Sequence, residues 1–221
     1  MEQVMTRREL KNSCVAAWLF AALVLSTSVG AQIPTVISIP VAKREVLFAL
    51  PQDFPIQPSA SVREADSYQA IFYPTGATEK NWSERIRLLV LQGHLKDVQN
   101  PANSLLVDVL AERAKSHCPS DFFIQLAPAR SSVRVSAVFG CKGNVEEKKH
   151  TVMGYYLVVL GEEDSYVLMR ERRISYQSEA LLPSKAVVDV WKKETDTLTI
   201  CPIGDLLCGK LGAVPLKKQN R

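Results

Sequence analysis

Residues Thr151 to Arg173 read TVMGYYLVVLGEEDSYVLMRERR. Two strand-like runs, Thr151 to Leu160 and Ser165 to Arg173, flank the polar tetrapeptide Gly161-Glu162-Glu163-Asp164, the pattern of an antiparallel hairpin. Side chains alternate along a strand, so Tyr155, Leu157 and Val159 fall on one face of the first run and Tyr156 and Val158 on the other. Both faces are apolar. A strand of this kind needs a covering layer on each side, which puts the hairpin in the middle of a layered molecule.

Upstream lies a second hairpin candidate. Phe122 to Ala127 (FFIQLA) and Val133 to Phe139 (VRVSAVF) flank Pro128-Ala129-Arg130-Ser131-Ser132, and together the two hairpins form a four-stranded antiparallel meander. If Ala127 lies opposite Val133, counting outward sets Cys141 opposite Pro119. Cys118 then comes within disulfide reach of Cys141. This leaves Cys201 with Cys208 around Pro202-Ile203-Gly204-Asp205-Leu206-Leu207, which has the turn chemistry to double the chain back.

The rest of the chain reads as short strands and two helices. Gln32 to Lys43 is rich in Ile, Val and Pro and is expected as an extended arm or edge strand. Glu45 to Leu50, Gln69 to Tyr73 and Arg85 to Leu91 are strand candidates. In the last, Ile86, Leu88 and Val90 share one face. Asn100 and Pro101 open a helix to about Ser116, with apolar positions Ala102, Leu105, Leu106, Val109, Leu110 and Ala114 at helical spacing. Ser184 caps a second helix that is expected to bury Val187, Val190 and Trp191.

The N-terminus carries an export signature: basic Arg7, Arg8 and Lys11, the apolar run from Cys14 to Leu25, then Val29-Gly30-Ala31. The run is shorter than the roughly 20 residues that cross a bilayer, so cleavage after Ala31 is expected, with no transmembrane segment in the mature chain. Cleavage leaves 190 of the 221 residues and removes three of the 27 basic and two of the 23 acidic side chains, so the net charge falls from +4 to +3. That charge is too small to argue for a nucleic-acid partner. Four of the five cysteines remain, an even number suited to an oxidising compartment. The domain organisation read here is a signal peptide (1–31), an N-terminal arm (32–44), one domain (45–210) and a basic tail (211–221). Its fold class is α+β, a central antiparallel meander flanked by helices in an α/β/α-type sandwich.

Tyr73-Pro74-Thr75-Gly76, followed by Asn81-Trp82 and a strand, a helix ending in cysteine, and a meander with Gly161 and Tyr166, resembles the PsbP-like family, especially exported bacterial members of unknown function. The resemblance spans about Val46 to Cys208. It implies a central antiparallel sheet between helices and non-catalytic work: one well-known member stabilises a membrane-associated photosynthetic complex, and another of the same fold binds a small GTPase. It assigns no functional residue here.

Residues that do chemistry are scattered. His94, His117 and His150 share no ligand spacing, and no Gly-x-Ser-x-Gly elbow or phosphate loop is present. Glu162-Glu163-Asp164 lacks the spaced ligands of a calcium loop and reads as a solvated tip. Asn81-Trp82-Ser83 is a glycosylation sequon, meaningful only in a eukaryotic secretory host. No catalytic residue, metal or cofactor is therefore assigned. The densest basic group is Arg170, Arg172 and Arg173, with Arg134 near by. Arg170 and Arg172 share a strand face with Tyr166 and Leu168, a mixed aromatic and cationic surface suited to an acidic partner. The reading is an exported binding or accessory protein of the envelope or exterior, periplasmic or secreted, which works through a protein–protein surface. The alternative is a small secreted hydrolase with dispersed site residues. N-terminal sequencing of exported protein is expected to begin at Gln32; an intact Met1 in a membrane fraction would overturn the cleavage site.

Overall fold

The hairpin from Thr151 to Arg173 is continuous in the computed structural model. That structure describes residues 34–41, 43–93, 101–118, 121–128, 131, 133–142, 150–175, 182–205 and 214–215. Strands β8 (His150–Leu160) and β9 (Ser165–Ser175) pair from Leu160 opposite Ser165 to His150 opposite Ser175. Their tip is closed by the Gly161 amide donating to the Asp164 carbonyl at 2.8 Å. β7 (Arg134–Lys142) and β6 (Asp121–Leu126) extend the meander on one side. On the other, β9 pairs with β5 (Glu84–Leu91), followed by β4 (Ser67–Phe72) and β3 (Ala60–Arg63). The seven-stranded order is β3-β4-β5-β9-β8-β7-β6.

A second sheet overturns the expected sandwich. β1 (Thr35–Val41) and β2 (Arg44–Leu50) form a hairpin, with β10 (Thr199–Pro202) beside β2 and β11 (Val214–Pro215) parallel to β1. Thr35–Val41 is thus neither a free arm nor an edge; it lies between β2 and β11. Ile37, Ile39, Val46, Phe48 and Leu50 pack with Phe72, Ile86, Leu88, Leu157 and Leu168 of the large sheet in one buried cluster. The apolar, β-branched stretch from Thr35 to Leu50 supplies the layer expected of a helix. With eleven strands and two helices among the described residues, the molecule is a mainly-β, two-sheet fold and not an α/β/α sandwich flanked by helices.

Helix α1 (Pro101–His117) covers the opposite face of the large sheet. Ala102, Leu105, Leu106 and Leu110 pack against Ala137, Phe139, Tyr156, Val158, Val167 and Met169. The both-faces-apolar pattern of β8 is satisfied by this helix on one side and the four-stranded sheet on the other. Helix α2 (Lys185–Thr195) begins at Ser184, whose side chain accepts from the Val187 amide. It sends Trp191 into the core between the sheets, while Val190, expected to be buried, is 55% exposed.

Cys118 and Cys141 are joined, with Cα atoms 5.5 Å apart. The register behind that expectation is nevertheless shifted by three residues. Ala127 donates to the Ser136 carbonyl, and Leu126 lies opposite Ala137. The connection is wider than a five-residue turn, and Phe122 stands opposite Cys141. Cys118 reaches its partner from the end of α1, outside the strand ladder. Cys201 is also disulfide-bonded; its expected partner, Cys208, lies outside the described residues, as does His94. Closing the loop from Cys118 to Cys141 stabilises by about 3 kcal/mol through the unfolded ensemble. The Cys118→Ala/Cys141→Ala variant should therefore melt several degrees lower in a calorimetric scan while keeping its far-ultraviolet dichroism.

Candidate functional site

The basic group on β9 lies at its ladder with β5, where register sets Glu84 opposite Arg172 and Arg85 opposite Glu171. Adjacent residues point to opposite faces, so each face of the sheet receives one ion pair. On the face toward the second sheet, Arg170 Nη2 donates to Glu84 Oε2 at 2.7 Å and Arg172 Nε to Glu84 Oε1 at 2.8 Å. Arg170 Nε also lies 3.3 Å from Glu194 Oε2 of α2. The two guanidinium groups sit over the rings of Phe54 and Trp191, at 4.6 and 5.6 Å. Burial lowers the Arg170 pKa although Glu194 and Glu84 oppose the shift, and burial raises that of Glu194 against the pull of Arg170.

On the other face Glu171 is fully buried. It accepts from Arg85 Nε at 2.5 Å and from the Tyr156 hydroxyl at 2.6 Å. Two guanidinium groups lie over the Trp82 ring, Arg85 at 4.1 Å and Arg173 at 4.8 Å. Burial works against the Arg85 charge, but Glu171, as charge and as acceptor, outweighs it and raises the pKa. Gly154 makes room for this cluster: a Cβ there would meet the Arg170 carbonyl at 2.8 Å and the Tyr156 ring at 2.9 Å.

The surface proposed from sequence is therefore placed mostly inside. Tyr166, Leu168 and Arg170 are 1%, 2% and 4% exposed, and only Arg172 is half-buried. These residues do share a face, as alternation required, but the second sheet and α2 cover it. Arg134 is elsewhere, donating to the carbonyls of Asp196 and Leu198. At the β8–β9 tip, Glu162 pairs with Arg44 and Asp164 accepts from the Gly93 amide at 3.0 Å. These residues, with Lys43, Gln92, Glu163 and Tyr166, line an open cleft of about 390 Å³. Burial, reinforced by the Asp164 charge, pushes the Tyr166 phenol up to about 12. His117 ends α1 and His150 begins β8, so the two stand on separate elements; among the described residues no three His, Cys, Asp or Glu side chains gather as a metal would require.

The surface that sequence reading missed is β6. It ends the large sheet, and among the described residues no strand pairs with its outer side. Phe122 is 55%, Phe123 38% and Leu126 51% exposed. Phe122 and Leu126 lie on the α1 face beside half-buried Ile124, since they stand opposite Cys141, Ala137 and Phe139 of the core beneath that helix. An apolar strand of this kind reads as core in a sequence. The available signal was its terminal place in the meander.

No family model and no curated protein sequence matches the chain. Among solved structures, an E65A mutant of the protein Mog1 superposes with a TM-score of 0.53 at 11% identity, covering 78% of this chain and 98% of its own. The chain shares its fold with Mog1. The Saccharomyces cerevisiae Ran-binding protein Mog1p gives 0.50 at 10% identity, covering 76% and 96%. Mycobacterium tuberculosis LpqN, involved in cell envelope biogenesis, covers 76% and 92% at 10% identity, but its TM-score of 0.33 supports no argument. At these identities the likeness is one of fold alone.

Two predictions test the electrostatics. Glu171→Gln leaves Arg85 buried without its counter-charge and should cost roughly 3 kcal/mol or more in denaturant unfolding. Because folding raises the Tyr166 pKa above its ordinary value of 10.0 to about 12, its contribution is fully present below pH 10 and lost as pH rises through 12. Alkaline unfolding of Tyr166→Phe should accordingly fall less steeply across that window than that of the wild type. Tyr68 and Tyr73, also raised by burial, remain in both proteins.

Proposed function

We propose that this chain is an exported, disulfide-stabilised, non-catalytic binding or accessory protein of the envelope or exterior, and that it holds its protein partner at the β6 edge. The observation that carries this reading is the exposure of Phe122, Phe123 and Leu126 on a strand with no neighbour on its outer side among the described residues. Apolar edge strands of this kind are costly to leave open and are what β-strand addition uses. The chemistry of the arginines supports the same view. Arg85 and Arg170 are committed to carboxylates in the core, which makes them parts of the scaffold. Export is supported by the Cys118–Cys141 bridge together with the basic and apolar N-terminal segment. A role in binding also agrees with the Ran-binding protein Mog1p, which has this fold, though fold alone transfers no partner.

Membership of the PsbP-like proteins is part of the proposal. Its support is that Tyr73 and Trp82 of the quoted motif pack together with Val152, and that Gly76 takes a φ of 84°, which its turn requires. The test is partner recovery from envelope and culture fluid using wild type and a Phe122→Lys/Leu126→Lys variant side by side. The same partner should be retained by the wild type and reduced at least about tenfold with the variant. Equal recovery by both, with melting temperatures unchanged, would remove β6 from the function.

A further inference from the structure

We infer that β6 also pairs with β6 of a second copy of this chain, antiparallel about a two-fold axis at Ile124. This rests on the reading of β6 as the binding edge and names one occupant for it. The backbone sets the choice of register. Ala127 donates to the Ser136 carbonyl, so in the β6–β7 ladder Ala127, Gln125 and Phe123 direct their N–H and C=O groups inward to β7. The groups of Phe122, Ile124 and Leu126 alternate with them and face the open edge.

A two-fold pairing must use those outward groups. With Ile124 opposite its own copy, Phe122 stands opposite Leu126 of the partner, and all three are outward-bonding positions. The ladder then runs the whole of Asp121–Leu126. Sliding the axis to Phe123 shortens it, and sliding to Gln125 sets Phe122 against Pro128, which has no N–H to give. The favoured register thus also joins the two most exposed apolar side chains of the strand, both on the α1 face, in cross-strand pairs.

Charge and symmetry select a second copy over the other edge. From Phe122 through Pro128 the chain carries no charged residue, so a two-fold axis brings no like charges together. The opposite edge, β3, is only four residues long and carries Arg63, a blunted edge. Pairing β3 with β6 would also propagate without closing, whereas β6 with β6 closes as a dimer in which each copy fills the other's open edge.

Sedimentation equilibrium of the purified, oxidised protein over a range of concentrations tests this. A reversible dimer is expected. Phe122→Lys/Leu126→Lys opposes like charges at both cross-strand pairs and should weaken dimerisation about tenfold or more. Phe122→Glu/Leu126→Lys sets opposite charges against each other across the axis and should restore it. A protein that remains monomeric at its highest soluble concentration overturns the proposal, and so does a dimer indifferent to both double variants. Partner recovery separates the two readings. A monomer that still loses its partner with Phe122→Lys/Leu126→Lys leaves the binding function standing, whereas a β6-dependent dimer whose partner recovery is unaffected refutes that function and keeps the dimer. Melting temperatures near wild type confirm that both variants fold.

Discussion

One rung of the β5–β9 ladder governs the placement of the charged core. Glu84 faces Arg172 and Arg85 faces Glu171, and since successive residues point to opposite sides, these two neighbouring pairs place an ion pair on each face of the sheet. A slip by one residue would send each carboxylate to the wrong face, and a slip by two would leave Glu171 buried without Arg85. Unpaired charge in a dry interior costs several kcal/mol. Register here is therefore specified by electrostatic penalty as much as by apolar pattern. Glu194 ties α2 to Arg170, and the Trp82 ring receives the guanidinium groups of both Arg85 and Arg173.

The arrangement explains why arginines recur so close to the core. A guanidinium is planar, keeps its charge, and offers donors along its edge while its face lies on an aromatic ring. Arg170 uses both properties, on Glu84 and over Phe54. Lysine has no such face. The cluster is thus a scaffold in which aromatic packing and ion pairing occupy the same side chains.

How far the sequence foretold this depends on the range of each interaction. The β8–β9 register was legible because a four-residue tip joins two strands of nearly equal length. Ser184 and Asn100-Pro101 marked helix starts through local chemistry, although Asn100 lies outside the described residues. The β6–β7 register was not legible, because a Pro- and Ser-containing connection admits several closures and Cys118 bonds from beyond the ladder. Arg170 and Arg172 read as a surface because a lone sequence shows their charge but not Glu84, some 86 positions away, which neutralises it. Phe122 and Leu126 failed in the opposite sense: hydrophobicity argued for burial, and only the strand order exposes them.

The four-stranded sheet takes β1 and β2 from one end of the described chain and β10 and β11 from the other. β10 and β11 follow β1 and β2 at long sequence separation when the chain emerges in order from a ribosome. Until Thr199–Pro202 has followed, Leu47 and Val46 have no β10 to pair with, and the inner face of the large sheet is covered by a hairpin still open on both sides. Contacts of such sequence separation form slowly. The molecule consequently cannot complete itself while it is still emerging, and the interval between emergence and closure is when its apolar strands are most open to other chains, and to chaperones.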